Sequence, residues 1–277
     1  MSIHEALMPP LDAEVLLAEV PELRLALGQG QGPFHHLDTF GHILETIRCV
    51  DRELDEGRIG ARVGEGAREG LRVAGLLHDV AKPVTRGEVE GRVLFVAHDT
   101  LGARLAHHVC RRLGLSARTT DLTATLTVLH LKIGFMGNPR SDYSPERLVR
   151  AAGPFGEELA ILCWADRLAA RGPRLKEEHV ERHRDLCVEF LRVSRNLGPY
   201  PETDYEDLAA RLDRPSDAGV GYAASRLRLL RAGGVGEHEA LEHVLKVQAR
   251  SGEVAARVSG TFPANSRGGR GFGPASH

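Results

Sequence analysis

Lysine is nearly missing from this chain. Only Lys82, Lys132, Lys176 and Lys246 occur, although lysine and arginine together number 36 against 38 acidic residues. The formal net charge is −2, so bulk binding of a polyanion is not expected. The excess of arginine reads as compositional bias, although arginine also suits bidentate contact with phosphate. Cysteine is sparse too. Cys49, Cys110, Cys163 and Cys187 form no Cys-x-x-Cys pair, and each lies in an apolar helical pattern. A disulfide scaffold is therefore not expected, and free buried thiols in a reducing compartment are. No apolar run reaches the roughly 18 residues that would signal a membrane span. The N-terminal stretch "MSIHEALMPPLDAEVLL" lacks the basic start and long apolar run of a signal peptide. A cytoplasmic protein without membrane contact is expected.

What is present is helical periodicity. The chain has 277 residues, 42% of them hydrophobic, enough for one large domain, or for one domain plus an appendage. Residues 11–27 read as two short helices broken at Pro21. Residues 39–56 read as a helix capped by Asp38 or Thr39, and 67–80 as the next, limited by Pro83. Residues 84–96 break the pattern, and their β-branched and aromatic residues around "GEVEG" predict a β-hairpin. Helical runs follow at 99–113, 119–132, 145–151, 155–170 and 175–196. After the Pro-rich linker "NLGPYPETD", three more cover 205–212, 218–232 and 237–249. The expected fold is all-α with one inserted hairpin. The expected organisation is a helical domain over 1–197, a helical extension over 198–250 and a flexible Gly/Arg-rich tail over 251–277. Contact with RNA through that C-terminal region is the functional alternative to an idle end.

The chain holds 14 histidines, so context must sort them. "VAGLLHDVAKPVT" places His78 and Asp79 at the end of a strongly apolar helix. Burying such a pair is costly unless something neutralises it. A divalent cation would do so, because imidazole with carboxylate suits a transition metal and leaves room for water. The candidate partners are His42 in "DTFGHILET" and Asp166 in "CWADRLAARG", each an ionisable side chain embedded in an apolar helical stretch. Three helices carrying H, HD and D in that order are more specific than any one of them.

The order His42, His78-Asp79, Asp166 resembles the HD superfamily of metal-dependent phosphohydrolases. The wording of "HHLDTFGHIL", "LLHDVAKPVT", "FVAHDTLGARLA" and "WADRLAARG" is similar to the HD domain of bacterial tRNA nucleotidyltransferases. The likeness extends more weakly through "DLAARLDRPSDAGVGYAASRLRLLRAGGVGEHEALEHVL". Those enzymes also carry a nucleotide-binding head with paired catalytic carboxylates. No Gly-Gly-x-x-Arg-Asp or Asp-x-Asp head motif is found here, so nucleotide addition is not expected. The resemblance implies an HD-domain helical bundle over 1–197. It assigns a divalent ion (Mn, Fe, Ni, Co, Mg or Zn) to His42, His78, Asp79 and Asp166. It also makes His98 and His130 candidates for a second ion sharing Asp79, or for substrate contact. One ion is expected and two are possible. Asp99 reads as a charge at a helix N-terminus, His107-His108 as a solvated or core-edge pair, and His35 and His36 as loop histidines that could approach the site, with His36 kept as the weak candidate.

No serine or cysteine is paired with a histidine as a nucleophile, so the resemblance implies hydrolysis by metal-activated water. Asp79 is then the central catalytic residue. Lys82, three residues after it on the same expected helix face, is a candidate for phosphate or for Asp79 itself. Arg171 is the favoured phosphate ligand. The loop "HLKIGFMGNPR" could cover the pocket. The leading expectation is cleavage of a nucleotide or RNA-end phosphoester, of 2′,3′-cyclic phosphodiesterase or phosphatase type. The alternatives are a nucleoside 5′-monophosphatase or dNTP triphosphohydrolase, or a non-catalytic RNA- or nucleotide-binding module.

Overall fold

The computed structural model describes residues 2–64, 66–136, 138, 143–212 and 216–258, with side chains as far as Val247. Its order is α1 (Ile3–Ala6), α2 (Ala13–Glu19), a 3-10 turn at Pro21–Ala26, α3 (Thr39–Glu56), α4 (Ala67–Leu77) and α5 (Lys82–Thr85). Strands β1 (Arg86–Val89) and β2 (Arg92–Phe95) follow. Then come α6 (His98–Arg112), α7 (Ala117–Leu129), α8 (Pro145–Ala152), α9 (Gly156–Ala170), α10 (Glu177–Asn196), α11 (Tyr205–Arg211), α12 (Asp217–Ala232) and α13 (Glu237–Val258). The fold is all-α with one hairpin, as the periodicity predicts. No helix among the described residues is long and apolar enough to cross a membrane.

Local chemistry sets the element ends. Asp38 caps α3 by accepting the Gly41 N–H at 2.7 Å, and Ser116 caps α7 by accepting the Thr119 N–H at 3.1 Å. The two strands pair antiparallel from Arg86 with Phe95 to Val89 with Arg92. Glu90 and Gly91 between them both have positive φ, the backbone a tight hairpin turn requires. One boundary that differs from expectation bears directly on the site. α4 ends at Leu77 rather than residue 80, and three-residue turns replace helical bonding: Val80 N–H donates to Leu77 O and Lys82 N–H to Asp79 O. Lys82 is therefore not on the α4 face but one tight turn beyond Asp79.

α4 is the axis of the molecule. Leu71 and Ala74 join one apolar cluster with α7, α8, α9 and α10. Val73, Leu76 and Leu77 join a second with the N-terminal turns, α3 and α6. Burial on both sides fixes the helix that carries His78. All four cysteines are buried and free.

The C-terminal helices form a third cluster around Val220, Ala223 and Val244. They are not a detached appendage. A Cβ at Gly221 of α12 would lie 2.1 Å from the Ala117 carbonyl of α7, so only glycine permits that approach. Below it the Arg228 guanidinium is buried against Asp121 of α7. The linker at 198–204 carries no regular element. α13 continues to Val258, into the stretch expected to begin the tail. The rest of that tail, 259–277, lies outside the described residues, as do Gly137, Pro139 and Arg140 of the expected covering loop.

Candidate metal centre

Four helix ends and one helix interior bring the ligand candidates together. His42 projects from the first turn of α3, His78 caps α4, His98 opens α6, His130 caps α7, and Asp166 lies in the last part of α9. Asp79 sits in the turn after α4. His42, His78 and Asp79 are fully buried, and His98 and His130 nearly so. Asp166 keeps 18% of its side chain accessible, which marks the open side of the cluster.

Asp79 is the hub, and its two oxygens face different partners. Oδ2 lies 3.2 Å from His78 Nε2 and 3.5 Å from His42 Nε2. Oδ1 lies 3.6 Å from both His98 Nε2 and His130 Nε2. Asp166 Oδ1 reaches His42 Nε2 at 2.9 Å and His78 Nε2 at 3.9 Å. Ligand atoms thus converge in two triads, His42–His78–Asp79 and Asp79–His98–His130, with Asp79 in both. The structure brings all six expected ligands to one place.

The imidazoles are oriented for ligation. His78 Nδ1 lies 2.7 Å from Gly75 O, His98 Nδ1 2.7 Å from Phe95 O, and His130 Nδ1 2.7 Å from Thr127 O. In each case the acceptor is the carbonyl three residues earlier. A carbonyl there holds the proton on Nδ1 and turns the Nε2 lone pair inward, as ligating histidines require. The inward atoms then lack partners. His78 Nε2, His98 Nε2 and Asp79 Oδ1 are buried without a hydrogen bond among the described residues. Orphaned buried polar atoms of this kind are costly, and divalent cations would satisfy them. This donor set fits a metal.

The electrostatics agree. Burial alone would raise the Asp79 pKa, but the charges of His78 and Lys82 outweigh it and hold the carboxyl well below the usual range. Burial likewise opposes ionisation of Asp166, and the hydrogen bond and charge of His42 reverse the balance. Both carboxylates are anionic at neutral pH. Burial pushes His130 down to about 4, so it is a neutral imidazole with a free lone pair.

Lys82 is part of the cluster. Its Nζ lies 2.6 Å from Asp79 Oδ2, donates to Gln31 Oε1 at 2.7 Å, and stands 5.4 Å above the Phe95 ring. Arg171 is not brought to the six. It caps α9 in a left-handed conformation, its side chain is about half exposed, and its guanidinium pairs with Glu177 at 3.4 Å. Of the two loop histidines, His35 and not His36 approaches the centre. The His35 ring meets the edge of His42 at 4.9 Å, and burial lowers its pKa to about 3. The exposed His36 turns away, its Nδ1 3.0 Å from Ala170 O. Asp99 pairs with Lys132 at 2.7 Å, outside the triads. His107 stacks on Tyr222, away from the centre. Gln31 is a residue that sequence reasoning missed; a polar side chain in a Gly-rich loop gives no periodic signal.

Comparison with known proteins bears on this segment. Residues 39–171 match the family model described as HD domain. The A-adding tRNA nucleotidyltransferase of Deinococcus radiodurans is 36% identical over 161 residues, 57% of this chain and 34% of that enzyme. The CC-adding tRNA nucleotidyltransferase of Thermus thermophilus is 31% identical over 156 residues, 55% of this chain and 32% of that enzyme. The bifunctional uridylyltransferase/uridylyl-removing enzyme of Novosphingobium aromaticivorans is 36% identical over 120 residues, 40% of this chain and 12% of that enzyme. The chain therefore spans about a third of the length of the two tRNA nucleotidyltransferases it matches. Five of the six ligand candidates follow one another from α3 to α7 and the sixth closes the set from α9, all inside the segment, residues 39–171, that matches the HD domain family model.

Proposed function

We propose that this chain is a divalent-metal-dependent phosphohydrolase cleaving a nucleotide or RNA-end phosphoester, of 2′,3′-cyclic phosphodiesterase or phosphatase type. The observation that carries the reading is the division of Asp79, one oxygen toward each histidine pair. That arrangement suits two ions, held by His42, His78, Asp79 and Asp166 on one side and by His98, His130 and Asp79 on the other. The relatives support the substrate class: two are named for action on tRNA, and one for removing a uridylyl group.

When bound, divalent ions supply an activated water at neutral pH and positive charge for phosphate oxygens. The protein supplies the rest. Asp79 remains ionised and joins the two triads. The three carbonyl-anchored histidines keep their lone pairs inward. Lys82 offsets the charge of Asp79 and stands beside the triads, where it can meet a phosphate. The partly accessible Asp166 lies where substrate can enter and can accept a proton from an attacking water.

The test is turnover of a 2′,3′-cyclic nucleotide, nucleoside 5′-monophosphates and dNTPs by the chelated chain reloaded with Mn, Ni, Co or Mg, with bound metal counted by mass spectrometry. Metal-dependent turnover with up to two ions per chain is expected. His98→Ala should leave one ion. Metal retention without turnover of any phosphoester would favour the non-catalytic binding module instead.

A further inference from the structure

A positively charged stripe runs along the solvent face of α6 and onto α12. Arg104, His108 and Arg111 follow one another at helical spacings of four and three, so they share one face of α6, and all three are exposed. Arg104 and Arg111 are separated by about 10 Å of helix at 1.5 Å per residue. α12 packs against α6. Its Tyr222 ring stacks flat on the His107 ring, with centroids 4.5 Å apart. Arg226 follows Tyr222 by one helical turn and stands on the same side of α12. The charges of Arg226 and Arg104 both reach the Tyr222 hydroxyl, and those of Arg111 and Arg104 reach His108. One surface therefore gathers these guanidiniums around a stacked aromatic pair.

The charges are unmatched. The side chains of Arg104, Arg111 and Arg226 form no hydrogen bond or ion pair with any described residue. Arginines elsewhere are matched: Arg195 takes both oxygens of Glu157 at 2.9 Å, and Arg72 meets Asp51 at 2.9 Å. Glu22 is the carboxylate whose charge reaches His108, and the Arg112 guanidinium already holds its two oxygens at 2.9 and 3.1 Å. Asp99, in the first turn of α6, is tied to Lys132. Burial lowers the pKa of His107 to about 4 and shifts His108 the same way. The ring stack is therefore neutral and joins the two helices, which keeps Arg104 and Arg226 side by side. Like charges held together without a counter-charge repel one another, and a bound anion relieves this.

The form of the stripe restricts the anion. Unpaired guanidiniums suit bidentate contact with phosphate, and several of them along one face suit a chain of phosphates rather than a single one. A membrane surface needs apolar side chains beside the cations, and no large apolar residue of α6 or α12 is exposed. A protein interface centres on a desolvated aromatic or aliphatic anchor. Here the two rings are already stacked on each other and the arginines stand outermost. α6 also begins at the metal centre with His98, so Arg104 lies about 9 Å of helix beyond it. We propose that Arg104, Arg111 and Arg226 bind the phosphodiester backbone of an RNA strand whose end reaches the metal centre. The choice of RNA among polyanions rests on the reading of that centre as acting on an RNA-end phosphoester.

The experiment is fluorescence anisotropy of a short fluorescein-labelled RNA strand titrated with the chelated full chain. The slope of log affinity against log salt should be about −2, from about −0.7 per phosphate on a single strand. Arg104→Gln, Arg111→Gln and Arg226→Gln should each weaken binding and bring the slope to about −1.4. The triple variant should bind roughly tenfold more weakly or worse. Arg182→Gln is the control: Arg182 is an exposed arginine of α10, also without an ion pair, and its loss should leave Kd unchanged. Asp79→Asn should still bind the strand, and the metal-loaded triple variant should keep turnover of a mononucleotide. Failure of the metal centre to hydrolyse any phosphoester would thus leave the binding result standing. Absence of RNA binding, equal binding by the triple variant and Arg182→Gln, or equal affinity for a polyglutamate peptide or phosphatidylserine vesicles overturns the proposal.

Discussion

Two carboxylates in this molecule are completely buried with cationic partners, and they are treated in opposite ways. Asp121 receives the Arg228 guanidinium on both oxygens, the Thr125 hydroxyl at 3.1 Å and the Tyr205 hydroxyl at 3.0 Å. Arg228 in turn donates to the Ala151 carbonyl at 3.2 Å and to Thr125 Oγ1 at 2.8 Å. Asp79 meets Lys82 and four imidazoles, yet its Oδ1 and the Nε2 atoms of His78 and His98 are left without hydrogen bonds among the described residues. Native proteins seldom leave buried polar groups unpaired. The satisfied network ties α12 to α7 and needs nothing more. The unsatisfied one is completed by something the chain does not itself supply.

The largest effect should come from Asp79→Asn. It removes the one residue common to both triads, so bound metal and turnover should both be lost, beyond the roughly 10–100-fold in metal affinity that an outer partner contributes. Metal should also raise the Tm of the wild-type chain, because it binds the folded state, and this rise should vanish in the variant. Metal content and turnover that survive the substitution would break the comparison, and the proposed mechanism with it.

Arg228→Ala should act on the other side. It leaves Asp121 buried without its cation, a loss of about 3–5 kcal/mol in stability. Metal stoichiometry at a temperature where the variant is folded should be unchanged. Replacing both partners with apolar residues of similar volume should cost much less than the single change. Denaturant unfolding of the single and double variants measures this directly. A single variant that lost metal without losing stability would show that the two regions are not distinct in kind.

The two regions also differ in how far the sequence reveals them. His42, His78, Asp79 and Asp166 are legible because each is an ionisable side chain in an otherwise apolar helical context, where a lone charge needs an explanation; His98 and His130 are legible only through the resemblance. The hairpin is legible from "GEVEG" between β-branched residues. The Asp121–Arg228 pair is not: Asp121 stands in the Thr-rich run "ARTTDLTATLT", and its partner lies 107 positions away. Helical periodicity places a residue on a face but does not pair faces across the chain. Gln31 escaped, and His36 was preferred over His35, for a related reason, since their loop has no period from which to read direction. Arg171 is expected from the resemblance and not from a local pattern; in the structure it stands at a left-handed helix cap and its guanidinium pairs with Glu177. The end of α4 was read too late because "HDVA" is compatible with helix, whereas three-residue turns are what aim Asp79.

The smallest expected effect separates the regions by the sign of their pH dependence. His183 is buried against the Cys163 carbonyl, and desolvation lowers its pKa to about 4. The folded state keeps it neutral while the unfolded chain takes up a proton below about 6.5. Its contribution is therefore fully present above about pH 6.5 and is lost as pH falls toward 4, at about 1.4 kcal/mol per pH unit. In the metal-free centre His78 has the opposite sign. Burial would lower its pKa, but the Asp79 charge outweighs burial and raises it. Its contribution is present below about pH 6.5 and fades as pH rises through the raised value. Unfolding of the chelated chain at pH 7.5 and 5.5 should show a net loss at the lower pH that shrinks in His183→Gln and grows in Asp79→Asn. With metal bound, acid should destabilise the centre as well, because protons and cations compete for the same nitrogen lone pairs. The slope of Tm against pH in this range should therefore be steeper for the metal-loaded chain than for the chelated one.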